Sequence, residues 1–381
     1  MRPSAISSAF VAVAVGMAVV LPLIIQSGRS TGASEAQIAS FVIAVCIAMA
    51  IESACLSTYL RMPIVCATST AGVALVAQSA GYTVHEMSAA YILSAVFLVL
   101  TGLFKPFTRL VSSIPSSVAA GMLAGVLLPF VLAVPQTLAD APVFVGALMA
   151  GFFVLRLFNG AAALILILLV GIIWSLLFVP ETPSTLSFGW PVPVWIAPAF
   201  TPQALVGLAI PLYLVTMASQ NLPGLAVLRT DAYQAPPGVL IGATGFVSLL
   251  TAPFGAVSTA LAAITAALCT GPDAHPDQHK RWVTGVWYGF FYALFALFGV
   301  SLTALFTALP AVLIALIVGL GLLSPLINAT RIALGDETQR IAAMVTLATT
   351  ASGVGFLGIA SAFWGLIAGL AVIGLDKFTR K

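Results

Sequence analysis

Long stretches of this chain carry no charge, and they recur from one end to the other. The first, Ala5 to Ile25, is apolar apart from two serines, and comparable runs follow as far as Gly358 to Leu370. A stretch of that length in hydrocarbon must satisfy its own backbone hydrogen bonds, which leaves helices or a closed barrel. Only 7% of the 381 residues are charged, against roughly 25% in soluble domains. The chain therefore reads as an all-α polytopic membrane protein. Ala5 to Ile25 reads as the first span and not a removed signal, because no small-residue cleavage site follows it. Cys46, Cys55, Cys66 and Cys269 fall within apolar runs, which argues against a disulfide framework or a metal cluster. No motif calls for a metal, a cofactor or nucleic acid.

Cutting at Pro, Gly and charged clusters gives fourteen segments, beginning near residues 5, 36, 64, 87, 115, 141, 161, 205, 237, 256, 282, 309, 338 and 357. Charge tests the count, since cytoplasmic loops accumulate Lys and Arg. With a cytoplasmic N-terminus, Arg2, Arg61, Lys105, Arg109, Arg156, Arg229, Lys280, Arg281, Arg331, Arg340, Lys377, Arg380 and Lys381 fall inside. Only Arg29 falls outside. One missing or extra segment would reverse every later loop, so both termini are expected in the cytoplasm. The halves also echo each other: Pro22 in LPL recurs as Pro211 in IPL, Pro63 recurs as Pro253, and Ile114 to Pro129 resembles Leu309 to Pro325. Seven spans per half make the repeat an inverted one, which is transporter architecture with discontinuous helices meeting near the midplane.

Those discontinuities are expected at Pro63 and Pro253. The stretch Thr251 to Cys269 reads as extended backbone to Val257 and a short helix from Ser258, or alternatively as a Pro-kinked packing helix. In the first reading Gly255, Ala256, Val257 and Ser258 face Thr68, Ser69 and Thr70 of the counterpart, and two helix N-termini form an anion pocket. The eighth segment adds Ser219, Gln220 and Asn221 ahead of Pro223, with Tyr213 upstream and Phe254 beside the tenth segment. Gln220 and Asn221 are read as substrate-facing, with interhelical hydrogen bonding as the alternative. Glu52 is the one acid placed within a span. It is a proton-coupling candidate, or else a neutral acid bonded to a neighbouring helix or reaching toward Arg61. Asp273, His275, Asp277 and His279 alternate in a Pro-rich loop, and a solvated turn fits them better than a metal site.

With LYLVTMASQNLPGLAVLR from Leu212 to Arg229, then APFGAVSTALAAITAALC and GPDAHPDQHKRW, and GIASAFWGLIAGL from Gly358, the chain resembles the benzoate:proton symporter family of bacterial inner membranes. More distantly it is similar to nucleobase and sulfate permeases. The resemblance implies seven-plus-seven inverted repeats, with core parts at 1–110 and 203–304, gate parts at 111–180 and 305–381, and a periplasmic linker at 181–202. It also implies substrate at the facing ends of segments 3 and 10, beside segment 8. One departure bears on the substrate and not on the fold. Where the family pattern is Trp-Ser-Thr-Pro-Gly, this chain has Thr68, Ser69, Thr70, Ala71 and Gly72.

The expected function is a secondary active transporter that imports a small aromatic carboxylate by proton symport with elevator-type alternating access. The partners are the carboxylate, a proton and the lipid bilayer, with a homodimer as one open assembly. A carrier of the same fold for a nucleobase or an inorganic anion, or an anion channel, are the alternatives. Nucleobase carriers of this fold usually have acidic residues where this chain has Gln220 and Ala256. An intramembrane enzyme is disfavoured, because no His is placed within a span.

Overall fold

The computed structural model describes residues 3–79, 81–104, 114–158, 160–178, 189–262 and 265–379. Arg2, Lys105, Arg109, Arg380 and Lys381, and linker residues 179–188, lie outside the described residues. The helices are α1 (Pro3–Ser30), α2 (Glu35–Leu60), α3 (Thr70–Gln78), α4 (Val84–Leu103), α5 (Ser116–Asp140), α6 (Pro142–Phe158), α7 (Gly160–Phe178) and α8 (Pro202–Thr230). After them come α9 (Pro237–Thr251), α10 (Ala266–Thr270), α11 (Trp282–Leu297), α12 (Gly299–Ala308), α13 (Ala311–Ala333), α14 (Arg340–Ala351) and α15 (Ser361–Thr379). Strands β1 (Cys66–Thr68) and β2 (Thr259–Leu261) precede α3 and α10.

Among the described residues, seven helices are long and apolar enough to cross a membrane, and α11 with α12, bent by 66° at their junction, qualify together as another. The chain is a polytopic, mostly helical membrane protein. Helix starts follow local chemistry. Ser34 and Thr83 cap α2 and α4, and Gln37 and Glu86 return the bond to the cap backbone in each case. Helix α2 packs along α11, α4 along α9, and α1 against α3 and α11. Helix α5 packs along α13 and α14, α14 along α15, and α6 along α7.

Helix α8 runs unbroken through Pro211 and Pro223. The helix passes through π-helical stretches at Leu205–Ala209 and Met217–Asn221, each ending two residues before a proline, Pro211 and Pro223. A proline ring clashes with the carbonyl four residues back and offers it no N–H. The wider turn takes up that conflict without stopping the helix.

The stretch from Thr251 to Val257 is not extended at its start: Ala252–Phe254 form a 3₁₀ turn that closes at Gly255 in the left-handed region, φ 84°. Nor does a helix begin at Ser258. Residues 259–261 form strand β2, and the helix that follows, α10, has five residues. The reason is a partner the local sequence does not reveal, since β1 lies alongside.

Candidate substrate site

Strands β1 and β2 pair antiparallel, with Cys66 opposite Leu261, Ala67 opposite Ala260 and Thr68 opposite Thr259. The ladder continues at both ends, where Ser69 N–H donates to the Ser258 carbonyl at 3.1 Å and Ala262 N–H to the Val65 carbonyl at 2.9 Å. Two strands of three residues are too short to persist alone. One face of α2 holds them. Met49, Glu52 and Ser53 lie at i, i+3 and i+4, on the same side of the helix. Ser53 Oγ accepts from Cys66 N–H at 3.0 Å, Met49 Sδ from Thr68 N–H at 3.2 Å, and Glu52 Oε1 from Thr259 Oγ1 at 2.5 Å. From the other side, Ser248 Oγ accepts from Thr259 N–H at 2.8 Å, and Asn221 Oδ1 accepts from Leu261 N–H at 3.1 Å. Helix α8 comes this close because residue 224 is glycine: a Cβ there would lie 2.6 Å from that of Leu261 and 2.9 Å from the Ala262 carbonyl oxygen.

Beside the strand pair is a cavity of about 340 Å³, a volume suited to a small molecule. Thr68, Thr70 and Gln220 line it, with α1, α11 and helices α6, α7 and α13 completing the wall. Thr68 Oγ1 is buried with no hydrogen-bond partner among the described residues. Ser69 caps α3, its hydroxyl accepting from Gly72 N–H at 3.1 Å. The first turn of α3, with its partial positive charge, therefore begins beside the cavity.

The remaining predicted residues take other places. On the π-helical stretch of α8, three neighbours diverge. Gln220 lines this cavity, Ser219 lines a larger one of about 770 Å³ shared with α5 and α13, and Asn221, fully buried, holds β2. Tyr213 is bonded to Thr101 Oγ1 and packs against Phe97, the rings tilted by 58°. Phe254 meets Trp195 edge-on at 5.6 Å. Gly255 forms the left-handed turn, Ala256 and Val257 are buried behind it, and Ser258 Oγ donates to Ser94 Oγ at 3.1 Å. None of these six lines the cavity.

Glu52 is 2% exposed, and among the described residues its Oε2 has no hydrogen-bond partner. Arg61, the cation considered for it, stacks over the Trp282 ring at 4.4 Å. In the loop before α11, Asp277 accepts from His279 N–H at 3.0 Å, and Arg281 donates to the carbonyls of Thr270, His275 and Pro276. The backbone N–H of His279 beside Asp277 holds that exposed carboxyl below its usual range.

Sequence reading missed five polar cavity residues: Arg156 of α6, Thr265, Tyr288 and Tyr292 of α11, and Ser324 of α13. The two tyrosines are spaced i, i+4, a pattern that also describes ordinary core. Arg156 stands in the last turn of α6, where it favours the helix C-terminus.

Known proteins resemble this chain along its whole length. The inner membrane protein YdcO of Escherichia coli strain K12 is 38% identical over 368 residues, 96% of this chain and 94% of that one. The benzoate membrane transport protein of Acinetobacter baylyi is 34% identical over 368 residues, 96% of this chain and 93% of that one. Among solved structures, SLC26A9 superposes with a TM-score of 0.65 at 12% identity, covering 98% of this chain and 66% of that one. The transmembrane domain of the cyanobacterial bicarbonate transporter BicA superposes at 0.62 and 12%, covering 97% of both. At such identities the likeness speaks for the fold alone. The family model for the benzoate membrane transport protein matches residues 1–375, so the chain belongs to that family and is a membrane transporter, not an enzyme.

Proposed function

We propose that this transporter imports a small aromatic carboxylate together with a proton across a bacterial inner membrane. The observation that carries the reading is the cavity beside β1 and β2. Hydroxyl and amide groups of Thr68, Thr70 and Gln220 converge on it from an otherwise largely apolar wall. Such a wall suits a ring, and the neutral donors together with the α3 N-terminus suit a carboxylate. Arg156, in the same wall, adds a cation from the gate side. Neutral donors hold an anion loosely enough for release.

Glu52 is the proton carrier in this reading. It touches the strand pair at Thr259, directly across from Thr68, so proton and substrate act on one small element. The chain crosses the membrane fourteen times as two inverted repeats of seven, both termini in the cytoplasm. The core moves past the gate as an elevator. Supporting this are the matching order of strand and short helix in each half and the cavity's walls, drawn from both groups of helices. The names of the two relatives, an inner membrane protein and a benzoate membrane transport protein, agree with it.

The test is uptake of labelled benzoate by proteoliposomes under an imposed pH gradient, acid outside. Saturable uptake that collapses with the gradient and counter-exchanges with unlabelled benzoate is expected. Flux that rises linearly with concentration and shows no exchange would make the protein a channel.

A further inference from the structure

Tyr288 and Tyr292 stand one turn apart on α11, their rings edge to face at 4.9 Å, and they are 0% and 2% exposed. Both belong to the cavity wall, on the side formed by α11, whereas Gln220 enters from α8. Tyr288 Oη donates to Tyr292 Oη at 3.5 Å, and Thr265 Oγ1 lies 3.4 Å from Tyr288 Oη. With the Tyr288 hydrogen committed to Tyr292, Thr265 is the donor to Tyr288. Three hydroxyls thus bring three hydrogens to two internal bonds. The hydrogen left over belongs to Tyr292, and among the described residues it has no acceptor.

Buried phenols normally find a partner, and an unmet donor in an apolar wall is costly. Both internal contacts are also long for O–H···O, so the hydroxyls are loosely committed and able to turn toward a ligand. Space beside Tyr292 is kept open by Gly16 of α1, where an added Cβ would lie 3.0 Å from Tyr292 Oη. A substrate whose carboxylate is held by Gln220 and Thr70 has nothing to offer this donor unless its ring carries a second polar group.

We infer that, within the carboxylate site proposed above, Tyr292 donates to a hydroxyl on the substrate ring, so that the cavity is built for hydroxylated aromatic carboxylates in preference to the unsubstituted acid. The inference rests on the proposed function and adds the substrate class. Purified full-length protein titrated with benzoate, 3-hydroxybenzoate and 4-hydroxybenzoate tests it, by calorimetry and by ligand-induced thermal shift. Wild type should bind at least one hydroxybenzoate about tenfold more tightly than benzoate, the worth of one ordinary hydrogen bond. Tyr292→Phe should erase that preference, lowering affinity for the preferred hydroxybenzoate about tenfold relative to benzoate. Gly16→Ala, which crowds the same hydroxyl, should lower the preference independently should Tyr292→Phe fold poorly. Equal or tighter binding of benzoate by wild type overturns the inference while leaving the proposed function standing. Equal loss for all three acids in Tyr292→Phe also overturns it, because Tyr292 would then hold the carboxylate. If wild type binds none of the three, both readings fall.

Discussion

Thr68 and Thr259 face each other across the strand pair, and their hydroxyls are in opposite circumstances. Thr259 Oγ1 is held by Glu52 and lies 2.8 Å from Ser248 Oγ, whereas Thr68 Oγ1 is buried without a partner among the described residues and borders the cavity. An unmet buried hydroxyl costs about 1–3 kcal/mol, which a bound acceptor would return. Thr68→Val should therefore leave the melting temperature unchanged or raise it, while weakening benzoate binding about tenfold. Thermal melts with and without ligand check both. A lowered melting temperature with unaltered binding would make Thr68 a fold residue.

Glu52→Gln keeps an oxygen for Thr259 and removes the exchangeable proton. Folding and counter-exchange should survive, and accumulation driven by a pH gradient should be lost. Paired measurements in proteoliposomes separate these. Gradient-driven uptake at the wild-type level would leave Glu52 the role of strand support alone.

The neighbours Gln220 and Asn221 should part company. Asn221→Ala strands the buried Leu261 N–H, so it should lower stability by about 1–3 kcal/mol. Gln220→Ala removes a half-buried group from the cavity wall and should leave the melt alone. If the amide binds the carboxylate, affinity should fall by about 1.5–3 kcal/mol, roughly ten- to a hundredfold. Calorimetry on the purified variants reads affinity and melting separately. Tight binding by Gln220→Ala would move the carboxylate site elsewhere in the cavity.

Topology can be read by cysteine accessibility. Single cysteines at Ser4 and Asp376 should react only from the cytoplasm, and one at Trp190, in the irregular stretch before α8, only from outside. Labelling of position 376 from outside would remove the fourteen-span arrangement.

Much of the site's first half was legible in the sequence. Pro63 followed by β-branched residues marks extended chain, so β1 and a short helix after it follow from local chemistry, while the structure adds that Ser69 is the cap of that helix. The second half was not legible. Residues 258–269 are small and apolar without a distinguishing period, and what makes 259–261 a strand lies elsewhere, in β1, Ser248 and Asn221. Propensity gives way to tertiary partners in such a case. At Pro223 the sequence leaves the outcome open, because proline forbids one carbonyl partner but does not dictate whether the chain stops or widens its turn. The divergence of Ser219, Gln220 and Asn221 depends on that wider turn.

The strand pair also constrains how the protein is made. Residues 66–68 enter the membrane early; α2 meets the N–H groups of Cys66 and Thr68, but the ladder edge, with the Val65 carbonyl and the Ser69 N–H, faces β2. Their ladder partners, residues 259–261, are about 190 residues further along. At roughly 5–20 residues per second, synthesis leaves that edge waiting for about 10–40 s. Hydrocarbon does not tolerate unmet N–H and C=O groups over such a wait. The nascent first half must therefore remain near water or the insertion machinery until the second half arrives, and chains interrupted before residue 259 should be recognised as unfinished by membrane quality control.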